Sequence, residues 1–357
     1  MTLPIHGSNP SYLYQALGIE PPKQLIDFSA NINPLGPPGA LRENWGNFFD
    51  PILVYPDPKV QRLTKRMSKE LGIDEEWILF GNGASELIGL VGRLLFGKKV
   101  LIVQPAFAEY EAACLVNQCE VFSYQLTEPD WQIDVEEIKS SIKKVDAVFF
   151  CNPSNPTGIH YSNEIIRDLI NICKESNCYL ILDEAFYDYI DIYESIVPYI
   201  EEGDRVILLR SMTKMFAIPG LRLGYVVAKP TIISKLKTYQ PHWSVNTVAM
   251  LAGEICLEVH DFQQETLDFI SKERAAIFHF LEEEGYIHSA SQTNFYLLRD
   301  PNLEDQSLLI AFLLKKGIVP RHTFNFSGLD GRWLRFAIKS HQENRQLMNV
   351  LKQWRNG

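Results

Sequence analysis

Residues 210–224 read Arg-Ser-Met-Thr-Lys-Met-Phe-Ala-Ile-Pro-Gly-Leu-Arg-Leu-Gly. Two hydroxyls (Ser211, Thr213), an amine (Lys214) and a guanidinium (Arg222) therefore fall within one short stretch. It follows the apolar run Val206-Ile207-Leu208-Leu209, which reads as a buried strand. Hydroxyls and an arginine can hold an anion. A lysine buried beside another cation loses affinity for its proton and becomes an amine that forms imines with carbonyl groups. A solvated basic loop would have the same composition, and this stretch alone does not separate the two.

Other polar residues stand in equivalent places. Asp183 directly follows the apolar run Tyr179-Leu180-Ile181-Leu182. A carboxylate there is costly unless a cation accompanies it, although a helix cap is the common use of such an aspartate. Asn155 lies between Pro153 and Pro156, with Gly158 just beyond, so its amide is held in one orientation or the loop is simply a rigid connector. Gly81-Asn82-Gly83-Ala84-Ser85 opens a helix after a strand, where free N–H groups and the helix dipole favour an anion. Glu86 departs from the dinucleotide fingerprint G-x-G-x-x-G, so the stretch is a weak nucleotide signal and a better anion signal. Phe107 can stack on a planar ring or fill a core.

The elements that must position these groups follow one pattern. From Trp77 onward, short apolar runs alternate with helical segments: Ile78–Phe80, Val100–Val103, Ala147–Phe150, Tyr179–Leu182, Val206–Leu209 and Tyr225–Val227. Continuous apolar runs of this length predict a mostly parallel sheet covered by helices on both faces, an α/β fold. Open sheets of this class bind ligands at the carboxyl ends of their strands, and each candidate residue lies just past such an end. A helical tract is expected over 245–284. A strand–helix–strand unit, Phe295–Leu298, Ser307–Lys316 and Trp333–Ile338, suggests a small α+β lobe. The expected organisation is an N-terminal segment 1–44 joining the small domain, a large domain 45–244 and a small domain 245–357. Residues 1–44 are rich in Pro, Gly, Asn and Ser, with one short helix expected over Ser11–Leu17.

Bulk properties narrow the partners. The net charge is -10 with no basic cluster, which argues against nucleic acid and anionic membranes. The six cysteines show no C-x-x-C spacing, so free thiols in a reducing cytoplasm are expected, with no metal and no disulfide framework. The N-terminus lacks the features of a signal peptide, and Leu87–Phe96 is too short to span a bilayer.

Together these are an amine that forms imines, a buried carboxylate, a fixed amide, an aromatic, and a helix N-terminus with hydroxyls and an arginine. Pyridoxal 5'-phosphate uses all of them: aldehyde on lysine, pyridine nitrogen on carboxylate, phenolic oxygen on amide, phosphate at the helix end. Asn155-Pro156-Thr157-Gly158, Asp183-Glu184-Ala185, Ser211-Met212-Thr213-Lys214 and Gly220-Leu221-Arg222-Leu223-Gly224 resemble, in order, the motifs of the class I/II aminotransferase superfamily, the fold-type I pyridoxal-phosphate enzymes. The resemblance runs almost end to end. It implies Lys214 bonded to the cofactor aldehyde, Asp183 on the ring nitrogen, Asn155 at the phenolic oxygen and Phe107 stacked on the ring. Ala84, Ser85, Ser211, Thr213 and Arg222 would hold the cofactor phosphate. It also implies a homodimer in which Tyr55 reaches the partner's cofactor phosphate.

Within the superfamily the chain resembles the branch shared by histidinol-phosphate aminotransferases and the threonine-phosphate decarboxylases of cobalamin biosynthesis. The stretches His6-Gly7, Asp27 to Gly36, Phe107-Ala108-Glu109-Tyr110 and Pro241 to Asn246 are similar to the decarboxylases. The aminotransferases usually carry Tyr where this chain has Phe186. By this resemblance His6, Gly7, Asn31, Asn155, Arg321 and Arg335 surround the phosphate and carboxylate of the substrate. Position alone would make His6 a frayed terminal residue. The implied reaction releases CO2 from threonine O-phosphate and leaves 1-amino-2-propanol O-phosphate, with phosphate contacts choosing the bond that breaks. Alternatives are a histidinol-phosphate aminotransferase, serine O-phosphate as substrate, and a cofactor-binding regulator without turnover. The intact Lys214 speaks against the last.

Overall fold

In the computed structural model, which describes residues 3–357, the apolar runs after Trp77 form one seven-stranded sheet. A two-residue strand, β1 (Ile26–Asp27), precedes it. The sheet is built from β2 (Ile78–Gly81), β3 (Lys99–Gln104), β4 (Glu120–Gln125), β5 (Ala147–Cys151), β6 (Tyr179–Asp183), β7 (Val206–Ser211) and β8 (Gly224–Ala228). The C-terminal lobe adds β9 (Ile287–His288), β10 (Phe295–Arg299), β11 (Ile318–Val319), β12 (Arg321–His322) and β13 (Leu334–Ala337).

The order across the large sheet is β2-β8-β7-β6-β5-β3-β4. The strands from β7 to β4 are parallel, while β8 runs antiparallel to both β7 and β2. Alternate residues of each inner strand enter two separate cores. Phe149, Ile181 and Ile207 pack on the face covered by helix Gly83–Leu94, through Leu87, Ile88 and Val91. Val148, Leu180, Leu182 and Leu208 pack on the opposite face, with Ile166, Leu169 and Ile170 of helix Asn163–Glu175. Burial on both faces is why these strands read as unbroken apolar runs. The edge strand β4 carries exposed Glu120, Phe122, Ser123 and Gln125, lacks such a run, and was not among the expected strands.

The expected tract over 245–284 is two helices, Thr247–Cys256 and His260–Glu283. Asn246 caps the first, its Oδ1 accepting from the Ala249 N–H at 2.8 Å. The C-terminal lobe is a four-stranded sheet of order β12-β13-β10-β9, packed on helices Ser307–Lys315 and His341–Arg355. β1 pairs in parallel with β11, and the Ala337 N–H bonds the Phe28 carbonyl at 2.8 Å. That anchorage delivers Ser29 to Asn33 to the carboxyl ends of the large sheet, where the Asn33 N–H meets the Lys214 carbonyl at 3.2 Å. All six cysteines are free and buried.

Candidate active site

The carboxyl ends of the inner strands, the start of helix Gly83–Leu94, the segment 5–9 and the lobe strands β12 and β13 enclose a cavity of about 540 Å³. Every residue singled out from the sequence lines it except Tyr55: His6, Gly7, Asn31, Ala84, Ser85, Phe107, Asn155, Asp183, Ser211, Thr213, Lys214, Arg222, Arg321 and Arg335, with Phe186 beside them. Tyr55 lies outside, 81% exposed, its ring 5.0 Å from that of Trp243.

One end of the cavity is shaped for an anion. Gly83, at φ +77°, brings the opening of its helix under Arg222, and a Cβ there would stand 2.6 Å from Arg222 Nη2. No side chain fits at that position, so the backbone and the guanidinium share one small space. Ser211 Oγ and Thr213 Oγ1 are 2.8 Å apart beside them. Glu86 does not enter this space: its carboxylate accepts from the Asn82 N–H at 2.7 Å and from the Ser244 hydroxyl at 2.5 Å. A negative side chain is thereby kept out of the anion site.

Lys214 and Asp183 occupy the middle. Burial, reinforced by Arg335 and Arg222, lowers the Lys214 amine to about 8, and Asp183 opposes this only in part. No carboxylate among the described residues lies within 4.0 Å of it. Asp183 Oδ2 accepts from the Tyr110 hydroxyl at 2.5 Å and Oδ1 from the Ala185 N–H at 2.9 Å. Burial pushes its carboxyl upward, and those two donors and Lys214 pull it back. Both groups are held ready for a partner that the protein itself does not supply.

The lobe side holds a second cationic end. Arg321 and Arg335 are direct cross-strand neighbours in the β12–β13 pair. Both are buried, and neither has a carboxylate within ion-pair distance among the described residues. Arg335 donates to Asn155 Oδ1 at 2.6 Å and to the Ser29 carbonyl at 2.8 Å, while its Nε has no partner. Arg321 donates to the His322 carbonyl and to Asn325 Oδ1, each at 2.7 Å, and to the Ile5 carbonyl. Burial lowers both guanidinium groups, Arg321 to about 10 and Arg335 to about 9. Like charges set opposite one another on a sheet repel, so the pair is stabilised by bringing in negative charge. Asn31 Oδ1 is also buried here without a partner.

His6 is not frayed. Its Nε2 lies 2.8 Å from Glu109 Oε1, and its ring centroid is 5.7 Å from that of Phe107. The segment before it is pinned by His322 Nε2 on the Pro4 carbonyl at 2.8 Å and by Asn325 on the Ile5 carbonyl at 3.0 Å. Burial lowers the His322 imidazole to about 4, so the neutral ring donates through Nε2.

Local sequence assigns no role to Tyr110, Ser29, Glu109 or Asn325, although the first three lie in stretches that carry the resemblance. Tyr110 meets Asp183 across 73 positions, Asn325 meets Ile5 across 320, and no local spacing announces such pairings. Nor does local sequence announce the support beneath the site. Glu184 and Arg210, one residue from Asp183 and Ser211 respectively, form a fully buried ion pair at 2.8 Å. The Tyr193 hydroxyl joins it, donating to Glu184 Oε2 at 2.8 Å and accepting from Arg210 Nη2 at 2.8 Å. The carboxyl ends of β6 and β7 are thus tied together.

The donor set fits pyridoxal phosphate: an amine and a carboxylate both buried without counter-ions, an aromatic at Phe107, and an arginine, hydroxyls and helix start where a Cβ has no room. Similarity to known proteins spans nearly the whole chain. The family described as aminotransferase class I and II matches residues 23–351. The threonine-phosphate decarboxylase of Salmonella typhimurium is 36% identical over 349 residues, 97% of this chain and 95% of that protein. The crystal structure of the histidinol-phosphate aminotransferase from Clostridium acetobutylicum superimposes with a TM-score of 0.88 at 36% identity, covering 93% of this chain and 99% of that one. A histidinol-phosphate aminotransferase from Sinorhizobium meliloti, solved in complex with pyridoxal-5'-phosphate, superimposes with a TM-score of 0.84 over 98% of this chain and 94% of that one. Its identity is 21%, and the likeness is one of fold.

Proposed function

The chain belongs to the class I and II aminotransferase family of pyridoxal phosphate-dependent enzymes, and we propose that it decarboxylates L-threonine O-3-phosphate to (R)-1-amino-2-propanol O-2-phosphate in cobalamin biosynthesis. The observation that carries this is the buried Arg321–Arg335 pair, set cross-strand without a carboxylate among the described residues. A substrate with both a phosphate and a carboxylate supplies the two missing anions. Similarity to the Salmonella decarboxylase over nearly the full chain supports it.

A bound pyridoxal phosphate supplies an aldehyde for the substrate amine and a ring that accepts the electron pair left when a bond to Cα breaks. Lys214 would hold the aldehyde, Asp183 the ring nitrogen, Asn155 the phenolic oxygen and Phe107 the ring face. Ala84, Ser85, Ser211, Thr213 and Arg222 would hold the phosphate. Arg335 would clamp the substrate carboxylate, and Arg321, His6, Gly7 and Asn31 its phosphate. Fixing both ends of a short substrate fixes the torsion at Cα, so binding energy remote from the reacting bond selects cleavage to CO2 over removal of the Cα proton. Lys214 Nζ then delivers one proton to Cα, replacing the lost carboxylate. Phe186 contributes a ring and no hydroxyl at the wall where aminotransferases of this branch usually carry Tyr.

We further propose a cytoplasmic homodimer, with Tyr55 lending its hydroxyl to the partner's cofactor phosphate. In support, Phe49, Ile52, Leu53, Val54 and Tyr55 form an exposed apolar run. No helix among the described residues is long and apolar enough to cross a membrane.

Histidinol-phosphate aminotransferase is the second reading, favoured by the likeness to the Clostridium structure. Arg321 would then read the phosphate of histidinol phosphate. The test is incubation with threonine O-phosphate in the absence of any keto acid. Sustained CO2 release with aminopropanol phosphate is expected. Turnover that needs 2-oxoglutarate would refute the decarboxylase. Serine O-phosphate, one methyl smaller, should compete within about 10–200-fold.

A further inference from the structure

We propose that Tyr110 is a positioning residue that fixes the Asp183 carboxylate for a cofactor ring nitrogen. The proposal rests on the cavity being a pyridoxal phosphate site. Tyr110 sits in the first turn of helix Glu109–Val116 with its ring buried. That ring is stacked on Phe149, with centroids 5.0 Å apart and planes 19° apart, and stands edge-on to Phe107 at 5.9 Å and 85°. Two aromatic neighbours in different orientations leave it one direction for its hydroxyl, which donates to Asp183 Oδ2 at 2.5 Å.

Asp183 has no other side-chain hydrogen bond among the described residues. The Ala185 N–H takes one lone pair of Oδ1, and Tyr110 takes one of Oδ2. A carboxylate accepts more bonds than these two, so it is immobilised with capacity left on the cavity side. The partner is a neutral donor rather than a cation, and this distinction matters. A cation at Oδ2 would spend the negative charge of Asp183 inside the protein wall. A phenol orients the carboxylate and favours its ionised form while leaving the charge for the ligand. Burial raises Tyr110 well above its usual range, so it remains a donor.

The Phe107 edge contact adds a second consequence. The residue that aims the carboxylate also braces the aromatic proposed to lie on the ring face. One side chain therefore sets two walls of the ring site.

The test is a double-mutant cycle on cofactor affinity, measured by absorbance and fluorescence titration of the cofactor-stripped protein with pyridoxal phosphate. Tyr110→Phe keeps both aromatic contacts and removes only the hydroxyl. It should weaken binding about tenfold in the wild-type background. In an Asp183→Asn background, where the bond to Lys214 keeps binding measurable, it should change affinity less than about twofold. An equal factor in both backgrounds would overturn the proposal, because a merely structural tyrosine acts independently of Asp183. Tyr110→Met, which also removes the hydroxyl, carries the same cycle if the phenylalanine variant does not fold. Failure of the wild-type protein to take up pyridoxal phosphate would instead overturn the cofactor reading itself.

Discussion

Arg321→Ala probes the charge that faces Arg335 across β12 and β13. The acceptors that Arg321 meets within the protein, the His322 and Ile5 carbonyls and Asn325 Oδ1, are all neutral, so its positive charge is uncompensated. A hydrogen bond to a charged group contributes roughly 1.5–3 kcal/mol, and a guanidinium fork makes two with a phosphate. Allowing for contacts that His6 and Gly7 retain, the loss should be about 3–4 kcal/mol, or roughly 10²–10³ in kcat/KM for threonine O-phosphate. Unphosphorylated threonine has nothing for Arg321 to hold, and its kcat/KM should move less than about threefold. The substitution also removes one of two donors to the Ile5 carbonyl, the Asn325 amide keeping its bond at 3.0 Å. Unphosphorylated threonine separates that effect, since a loosened segment slows both substrates and a missing charge slows only the phosphate. The assay is steady-state kinetics of Arg321→Ala on both substrates. An equal loss on threonine and its phosphate would refute Arg321 as the phosphate reader.

Lys214→Met should abolish turnover and reveal the burden of the buried amine. Its pKa of about 8 lies below the ordinary 10.5, so between those values the unfolded chain binds the extra proton and stability rises with pH. Below about 8 the full cost is present; denaturant unfolding of the cofactor-free proteins should therefore favour the variant at pH 7 by up to about 3 kcal/mol, and the gap should close by pH 10.5. A gap that does not change with pH would show that the amine is not strained. Glu184→Gln leaves Arg210 buried without its counter-ion and should cost about 3–5 kcal/mol, read by calorimetry; a loss below about 1 kcal/mol would mean the pair is not a support. Phe186→Tyr adds a hydroxyl to a ring 6.0 Å from Lys214 Nζ. It should raise the share of turnover that depends on a keto acid, and an unchanged ratio would remove Phe186 from the account of reaction choice.

Much of this protein was readable before its fold was known, for identifiable reasons. Strands β5, β6 and β7 are buried at every residue, so each begins as an unbroken apolar run, and those runs end abruptly at Asn152, Asp183 and Arg210. That abruptness is itself the signal, because a polar residue placed directly after a core strand must have a use. The edge strand β4 gave no such signal because water satisfies one of its sides. The break between the helices at Cys256 and His260 was invisible as well, since the apolar spacing continues across it.

The chemistry of the cavity divides in the same way. The placement of Lys214, Asp183, Asn155, Ser211, Thr213 and Arg222 along one cavity was legible in the sequence, because each stands at the end of a strand of the large sheet or in a loop next to one. Their partners are determined by tertiary structure alone. Whether Arg321 faces Arg335 depends on strand register, and whether His6 reaches Glu109 depends on the hold of His322 and Asn325 on the segment before it. Tyr110 reaches Asp183 only because their elements converge at one end of the sheet. Local spacing decides what a side chain is and which way its loop turns. Only packing decides which charges are left buried without a counter-ion, and those charges are what ask for a ligand.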